Sequence, residues 1–318
     1  MRSARDLLLP SLFLADGAMG TYYAQSGPDE GGYCEEANLT HPDVIRKIHE
    51  SYIKAGAELL RTNTFAAISQ TFPNHPDRLQ AIIKSGFELA SSCAGDKVFV
   101  AADFGPAYNL EPDVYFEGAL LAIETFLSCG ADLFIFETFA DPDEFLPLCA
   151  KIRERSPESV IIASFALSPD GLTRKGIPLH RLESIMEQSI DVDIWGLNCG
   201  VGPTHLAQQL SALSKSGKPL SLMPNSGYPH LENQRLVYGS EPSYFARVVS
   251  GFAGPRTRLL GGCCGTTPMH IEALSKKLFH QTPKDEVKKR VVPAEAGAAE
   301  AIPSPLEVLL NKNAFPVV

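Results

Sequence analysis

Short apolar segments alternate with longer amphipathic segments along most of the chain. Each short segment carries hydrophobic residues on both faces, which is typical of a strand that is buried on both sides. The longer segments have a helical repeat, and turn residues mark the boundaries between the two kinds. Eight strands are predicted in this way, at residues 12–15, 58–62, 98–102, 132–136, 160–165, 193–197, 219–223 and 258–260.

The helical segments show clear boundaries. Residues 42–55 place Val44, Ile48 and Tyr52 on one face at four-residue spacing. A proline stands at the start of this segment and a glycine just after its end, which is the usual asymmetry of helix termini. A second helix with the same design is predicted at residues 113–129.

The alternation of strands and helices predicts the fold class. Eight such units within residues 12–280 indicate an α/β protein, specifically a (β/α)8 TIM barrel. A doubly wound open sheet is the alternative, but no G-x-G-x-x-G sequence follows the first predicted strand. An internal similarity favours the barrel: residues 56–65 and 130–139 share a helix end, a strand and a polar strand end, so that Asn63 aligns with Glu137.

Composition excludes several classes of protein. The chain has 318 residues and a formal net charge of −9, and an acidic chain without a Lys/Arg block is a poor candidate for binding nucleic acid or a membrane surface. No apolar run reaches the roughly 18 residues of a membrane span. The segment LLLPSLFLA resembles a signal peptide, but the polar turn at residues 16–21 follows it at once. Seven cysteines without a secretory signal favour a cytoplasmic location over a disulfide framework.

The composition changes after residue 280. Residues 281–290 are rich in charge and residues 291–305 in Ala, Glu and Pro, which is typical of a linker. We therefore expect a barrel domain at residues 1–280 and a linker or tail at residues 281–318. The apolar end of this tail suggests entry into a second domain, and a tail that packs on the barrel is the alternative.

Polar side chains occur where the predicted strands end. In a barrel of this kind the active site lies at the carboxyl ends of the strands. Nearly every strand ends in a group that can bind or coordinate a ligand, and a purely structural barrel has no need of this concurrence. The candidates are Asp16, Asn63, Asp103, Glu137, Asn198, Cys199, Asn225, Cys263 and Cys264.

Three of the cysteines form the sharpest candidate site. Cys199 ends the sixth predicted strand, and Cys263 and Cys264 end the eighth, so they can converge over the mouth of a closed barrel. Three thiolates would leave the fourth position of a tetrahedral Zn²⁺ open, as a catalytic site requires. Buried packing thiols and a disulfide between Cys263 and Cys264 are the alternatives. The remaining cysteines are interpreted as packing residues: Cys34, Cys93, Cys129 and Cys149.

The chemistry of such a metal site indicates a substrate. Zinc with three thiolate ligands is a weak Lewis acid for carbonyl groups, but it lowers the pKa of a fourth thiol and keeps its sulfur nucleophilic. Alkylation of a substrate thiol fits this better than hydrolysis, for which no His/Glu metal set is evident. Asp16 and Glu137 could hold an ammonium group, and the backbone N–H groups of residues 17–21 a carboxylate. For each carboxylate alone, a helix cap or a surface charge is the alternative.

Six segments together resemble one known family. They are DGAMGT at 16–21, TNTF at 62–65, FET at 136–138, GLNC at 196–199, PNSG at 224–227 and GGCCGTTP at 261–268. Their order and content resemble the homocysteine S-methyltransferase family, which implies a zinc-containing barrel that methylates homocysteine to methionine. The resemblance implies Cys199, Cys263 and Cys264 as catalytic zinc ligands, Asp16 and Glu137 at the amino group, Gly17, Ala18 and Met19 near the carboxylate, and Asn63, Asn198 and Asn225 along the site.

The residues after the cysteine pair bear on the methyl donor. GTTP at 265–268 resembles the homocysteine module of cobalamin-dependent methionine synthase, or of bifunctional proteins that join such a module to a methylenetetrahydrofolate reductase domain. Methylcobalamin on another domain or protein is then the expected donor, and a small-molecule donor is the alternative. A homocysteine-binding module that needs other domains for methyl transfer is the alternative function. DFGP at 103–106 departs from the Ile-Gly-Pro type of turn that is commoner in the synthases.

Overall fold

Eight parallel strands form the centre of the structure, a computed structural model that describes residues 2–26, 33–232, 235–239 and 241–279. In chain order the strands are β1 (Phe13–Leu14), β2 (Leu59–Arg61), β3 (Phe99–Phe104), β4 (Leu133–Phe139), β5 (Val160–Phe165), β6 (Ile194–Asn198) and β7 (Leu220–Met223), then β8 (Pro229–Glu232) and β9 (Arg235–Tyr238), which form a separate antiparallel hairpin, and β10 (Thr257–Leu260).

The sheet closes into a barrel. Its strands follow the order β1-β10-β7-β6-β5-β4-β3-β2, and all neighbouring pairs are parallel. The two end strands meet through a parallel bridge between Ala15 and Leu59. The backbone N–H of Glu58 also donates to the carbonyl of Leu14 at 2.6 Å. The predicted (β/α)8 barrel is confirmed, and the alternative of an open doubly wound sheet is wrong.

Helices connect the strands on the outside of the barrel. The two helices predicted at residues 42–55 and 113–129 are observed as α3 and α6, and each is followed by a glycine with positive φ, Gly56 or Gly130. The β8–β9 hairpin was not predicted. The α-helices are α1 (Gly20–Ser26), α2 (Ala37–Thr40), α3 (Pro42–Lys54), α4 (Ala67–Thr71), α5 (Pro76–Ala94), α6 (Pro112–Ser128), α7 (Leu146–Arg155), α8 (Leu179–Gln188), α9 (Pro203–Leu210), α10 (Pro242–Val249) and α11 (Pro268–Phe279).

The strands bury both of their faces, as their composition predicts. In β3, Phe99 and Ala101 belong to the core inside the barrel, whereas Val100, Ala102 and Phe104 belong to the core between the strands and the helices. Side chains alternate between the two faces of a strand. Any residue two positions beyond an inward-facing one therefore also faces the barrel interior, and this rule places the polar residues at the strand ends.

The apolar segment near the start of the chain contributes to the barrel core. A 3-10 helix at Ala4–Leu8 packs Ala4 and Leu7 into the same interior cluster as Phe13 and Phe99. The segment that resembles a signal peptide therefore has a structural role in this protein. Among the described residues, no helix is long and apolar enough to cross a membrane.

The chain divides into two units. The first extends over Met1–Gln281 and the second over Thr282–Val318. All the residues described above belong to the first unit. The linker or tail predicted at residues 281–318 lies outside the described residues.

One glycine of β6 lets two strands approach closely. A Cβ atom on Gly196 would lie 1.7 Å from the backbone oxygen of Ser221 in β7, so Gly196→Ala must displace a strand. We expect this substitution to lower the free energy of unfolding by about 3 kcal/mol. Gly251→Ala is the matched control, because a Cβ there meets no atom within 4 Å; it should change stability by less than about 0.5 kcal/mol. Equal urea midpoints for the two variants would contradict the close approach.

Candidate active site

The three predicted metal ligands come together above the carboxyl ends of two strands. Cys199 follows β6, and Cys263 and Cys264 follow β10, which is separated from β6 by β7. The three sulfur atoms all lie within 4.8 Å of one another, and those of Cys199 and Cys264 are 3.7 Å apart. Cys263 is buried, whereas the other two are half-buried. The sequence prediction that the three thiols converge therefore agrees with the structure.

The backbone around the cysteine cluster turns more tightly than most residues allow. Cys199 has a φ of +59°, and Gly200 follows with a φ of +70°. The left-handed conformation costs a non-glycine residue about 1–2 kcal/mol, so the surrounding contacts must hold Cys199 in it. Gly265 also has a positive φ, and a Cβ on it would lie 2.1 Å from the Cβ of Tyr238. Backbone geometry thus determines where the sulfurs lie.

The sulfur positions fit one tetrahedral metal ion. The cysteines are free thiols, so the alternative of a Cys263–Cys264 disulfide is not formed. Three sulfurs bound at about 2.3 Å to one zinc ion would lie about 3.8 Å from one another, which is close to the 3.7 Å between Cys199 and Cys264. Contact with the Cys199 sulfur, together with burial, raises the pKa of the Cys263 thiol well above its ordinary value. A bound cation would favour the thiolate instead.

A buried arginine holds the two carboxylates that the sequence assigns to a substrate ammonium group. Arg61, at the end of β2, donates from Nε to Asp16 Oδ1 and from Nη1 to Glu137 Oε2, both at 2.8 Å. Its backbone N–H donates to Asp16 Oδ2 at 3.0 Å. Nη2 donates to the carbonyls of Gly17 and Gly262 at 2.7 and 2.8 Å. Both carboxylates therefore have a cationic partner within the protein itself.

A third carboxylate, that of Asp103, adjoins Glu137. Asp103 pairs in register with Ile135 of β4, which lies two residues before Glu137 on the same face of that strand. Burial, followed by the charge of Glu137, raises the pKa of Asp103 well above its ordinary value. Three carboxylates therefore surround the single guanidinium group of Arg61.

Asn198 connects the carboxylate cluster to the cysteines. Its Nδ2 atom lies 2.8 Å from Glu137 Oε2, 3.0 Å from Thr138 Oγ1 and 3.7 Å from Cys263 Sγ. Its Oδ1 atom accepts from the Thr138 backbone N–H at 2.9 Å. Thr138 has a φ of +68°, which is a strained conformation for a β-branched residue. One amide side chain therefore fixes the position of Glu137 relative to the three clustered cysteines.

The other predicted asparagines have different surroundings. Asn63 donates from Nδ2 to the Cys34 carbonyl at 2.6 Å and to Asn38 Oδ1 at 2.9 Å, and it accepts from the Cys34 thiol at 3.1 Å. Asn63 thus fastens the segment before α3 to the barrel, and Cys34 has more than a packing role. Asn225 is buried, and its Oδ1 has no partner among the described residues. The remaining cysteines pack against the core, as predicted: Cys93, Cys129 and Cys149.

The turn predicted to lie near a substrate carboxylate is attached to the loop after the cysteine pair. The Ala18 N–H donates to Thr266 Oγ1 at 3.0 Å, so this group already has an acceptor. A Cβ atom on Gly17 would lie 2.7 Å from the same hydroxyl oxygen, which explains the glycine. Met19 is half-buried and packs against the hydrophobic core. This hydrogen bond therefore connects the turn after β1 with the loop after β10 at the site.

Two residues of the site were missed by the sequence analysis. Arg61 stands two positions after the inward-facing Leu59, so strand alternation could have placed its charge inside the barrel. Tyr238 comes from the β8–β9 hairpin, and its hydroxyl group contacts the Cys264 sulfur. Burial, and then the charge of Cys264, raises the pKa of Tyr238 above its ordinary value. The sequence carries no comparable signal for Tyr238, because the hairpin lies between the predicted elements.

A family match covers most of the chain. The model described as homocysteine S-methyltransferase matches residues 13–278, which include all eight barrel strands and the three clustered cysteines. The chain belongs to the homocysteine S-methyltransferase family. This membership confirms the resemblance drawn from the six sequence segments.

Curated relatives of this homocysteine S-methyltransferase family member include two mycobacterial methionine synthases. It is 29% identical over 300 residues to that of Mycobacterium leprae (strain TN) and 30% identical over 303 residues to that of Mycobacterium tuberculosis (strain ATCC 25618 / H37Rv). Each alignment covers 85% of this chain, but only 24% and 25% of the relatives, respectively. The chain thus spans about a quarter of the length of the curated relatives that it matches.

Solved structures share the fold. The homocysteine methyltransferase MmuM from Escherichia coli, in its metallated form, is 24% identical with a TM-score of 0.67, covering 86% of this chain and 99% of that one. Its apo form is 25% identical with a TM-score of 0.66, covering 86% and 100%. A methyltransferase from Methanosarcina mazei is 12% identical with a TM-score of 0.54, covering 87% and 97%. This family member therefore has the barrel of known methyltransferases.

Arg61 should be essential for stability. Arg61→Met would leave Asp16 and Glu137 buried without their cation, and we expect it to lower the free energy of unfolding by about 3–5 kcal/mol. Arg5→Met is the control, because Arg5 pairs with Glu158 at the surface, where their side chains are 55% and 80% exposed; the expected loss there is below about 1 kcal/mol. Urea unfolding followed by circular dichroism measures both. Similar losses in the two variants would contradict the role of Arg61.

Proposed function

We propose that the chain is a zinc-dependent homocysteine S-methyltransferase that converts homocysteine to methionine. The observation that carries the proposal is the arrangement of three convergent thiols beside a buried carboxylate cluster, with Asn198 in contact with both. An amino acid with a thiol has a sulfur for the metal at the cysteines and an ammonium group for the carboxylates. The chain's membership of the homocysteine S-methyltransferase family supports the same reaction.

Cys199, Cys263 and Cys264 would hold the zinc ion, because all three sulfurs lie within 4.8 Å of one another and the 3.7 Å between those of Cys199 and Cys264 matches tetrahedral thiolate coordination. When bound, zinc would lower the pKa of a fourth thiol and keep the sulfur of that thiol nucleophilic. The metallated form of E. coli MmuM, a protein with the same fold, supports a metal in this barrel. A zinc hydrolase is disfavoured, since this is the one metal-ligand cluster found among the described residues and it contains no His or carboxylate.

The carboxylate cluster would orient the amino acid. Glu137 is held by Arg61 and Asn198 at Oε2, so its position is fixed before a ligand arrives. We assign it to the substrate ammonium group. Asp16 contributes by fixing Arg61 through two hydrogen bonds. Such prior positioning lowers the entropic cost of aligning the sulfur for reaction.

The methyl step is a displacement at carbon. The homocysteine sulfur, having lost its proton, forms an S–C bond to the methyl group while the bond between that carbon and its carrier breaks, and the carrier keeps the electron pair. In-line approach requires access to the sulfur from the open side of the mouth. Cys199 and Cys264 are half-buried, which is consistent with such access.

The second candidate is a homocysteine-binding module that activates the thiol but needs other domains for methyl transfer. It is favoured by one observation: the chain spans about a quarter of the length of the methionine synthases that it matches. A cobalamin-bearing domain or protein would then present the methyl group, and a fused methylenetetrahydrofolate reductase domain is a further partner that the sequence suggests. A cytoplasmic location remains the expectation.

The metal assignment can be tested directly. Reduced, purified protein should contain about one zinc ion per chain, because the three thiols leave room for one tetrahedral ion. Cys199→Ala, Cys263→Ala and Cys264→Ala should each lose most of it, measured by inductively coupled plasma mass spectrometry. Cys129→Ala is the control, since Cys129 packs against the core away from the cluster. Full zinc content in all three cluster variants would make the ligand assignment wrong.

The methyl donor separates the two candidate functions. Turnover of homocysteine should be faster with methylcobalamin than with S-methylmethionine or betaine, because the GTTP segment after the cysteines resembles modules that receive the methyl group from another domain. Methionine formation is measured side by side with each donor. Efficient turnover with S-methylmethionine alone would instead indicate a self-sufficient enzyme that uses a small donor.

A further inference from the structure

The carboxylate cluster is short of one positive charge or more. Asp16, Asp103, Glu137 and Arg61 are only 2–6% exposed, so water does not solvate their charges. Three carboxylates against one guanidinium leave an excess of negative charge. Buried ionic groups are tolerated when they are paired and hydrogen-bonded, and they are costly otherwise. The cluster is therefore electrostatically complete only when a cation or a proton joins it.

Asp103 contributes a buried acceptor atom, Oδ1, that has no hydrogen-bond partner among the described residues. Its backbone is held on both sides, because the Asp103 N–H donates to Thr62 Oγ1 at 3.0 Å and its carbonyl accepts from Thr64 Oγ1 at 2.8 Å. The carboxyl group is thus fixed at the inner wall of the barrel next to Glu137.

Arg61 makes no hydrogen bond to Asp103. Arg61 uses four of its side-chain N–H donors, two on Asp16 and Glu137 and two on backbone carbonyls. Both oxygens of Asp16 already accept from Arg61. Asp103 Oδ1 is therefore a buried acceptor without a partner among the described residues, and it lies beside the carboxylate that Asn198 connects to the cysteines.

We propose that Asp103 is a specificity-determining residue that accepts a hydrogen bond from the substrate ammonium group together with Glu137, while Asp16 positions Arg61. This inference rests on the proposed function in that the ligand is an amino acid with a thiol. An ammonium group has three N–H donors and one positive charge. It therefore supplies a hydrogen-bond donor for Asp103 Oδ1 and a positive charge for the carboxylate cluster. The site would therefore select α-amino thiols over thiols without an amino group.

The test compares two thiols in the zinc-loaded protein. Homocysteine and 4-mercaptobutanoate differ only in the α-amino group, and isothermal titration calorimetry gives a Kd for each. Asp103→Asn keeps the shape of the side chain and removes its charge. We expect it to weaken homocysteine binding about 10- to 100-fold, the usual effect of losing a charged hydrogen bond. Binding of 4-mercaptobutanoate should stay within about twofold or become tighter.

The controls keep the outcomes distinct. Asp43→Asn makes the same charge change at an exposed position and should alter neither Kd. Glu137→Gln should reduce the preference for homocysteine as Asp103→Asn does. If Asp103→Asn does not fold, Asp103→Ser replaces it with the same expected loss of preference. An unchanged ratio of the two Kd values in a folded, zinc-loaded Asp103 variant would overturn the inference, whereas failure of the parent protein to bind either thiol would overturn the proposed function itself.

Discussion

The guanidinium group of Arg61 is the interaction on which the site depends. It lies inside the barrel and bonds to Asp16 after β1, to Glu137 in β4 and to the carbonyl of Gly262 after β10. Its own strand, β2, meets β1 through one bridge outside the regular ladder, between Ala15 and Leu59. Arg61 therefore joins the seam of the barrel and also pairs with two of the three carboxylates of the site. The hydrogen bonds of Arg61 therefore contribute both to closing the barrel and to forming the site.

This arrangement lies on a largely apolar layer inside the barrel. The interior core consists of aliphatic and aromatic side chains, including Phe13, Leu59 and Phe99, and the 3-10 helix at Ala4–Leu8 adds Leu7 to it. Charges that lie on such a layer interact through a low dielectric, so each attraction and each repulsion is stronger than at the surface. The same layer that stabilises the fold thus makes an excess of negative charge an effective means of binding a cation.

The sequence predicts the barrel well because each strand is a short apolar run and each helix carries its own boundary signals. The convergence of Cys199 with the Cys263–Cys264 pair was also predictable, since strand ends of a closed barrel meet at one mouth. The partners of Asp16 and Glu137 were not, because Arg61 lies 45 and 76 residues from them and only the closed sheet brings them together. Tyr238 depends on a hairpin whose position beside Cys264 is set by tertiary contacts. The tail at residues 281–318 lies outside the described residues.

The Asn198 side chain has a geometric consequence. One amide group touches both Glu137 and Cys263, and the strained turns at Thr138 and Cys199 hold the backbone on either side of it. The span between the Glu137 carboxylate and the Cys263 sulfur is therefore set by the contacts of the Asn198 side chain. A ligand that reaches both ends has to match this span, so under the proposed function the site would discriminate between amino thiols by the number of methylene groups between the amine and the thiol.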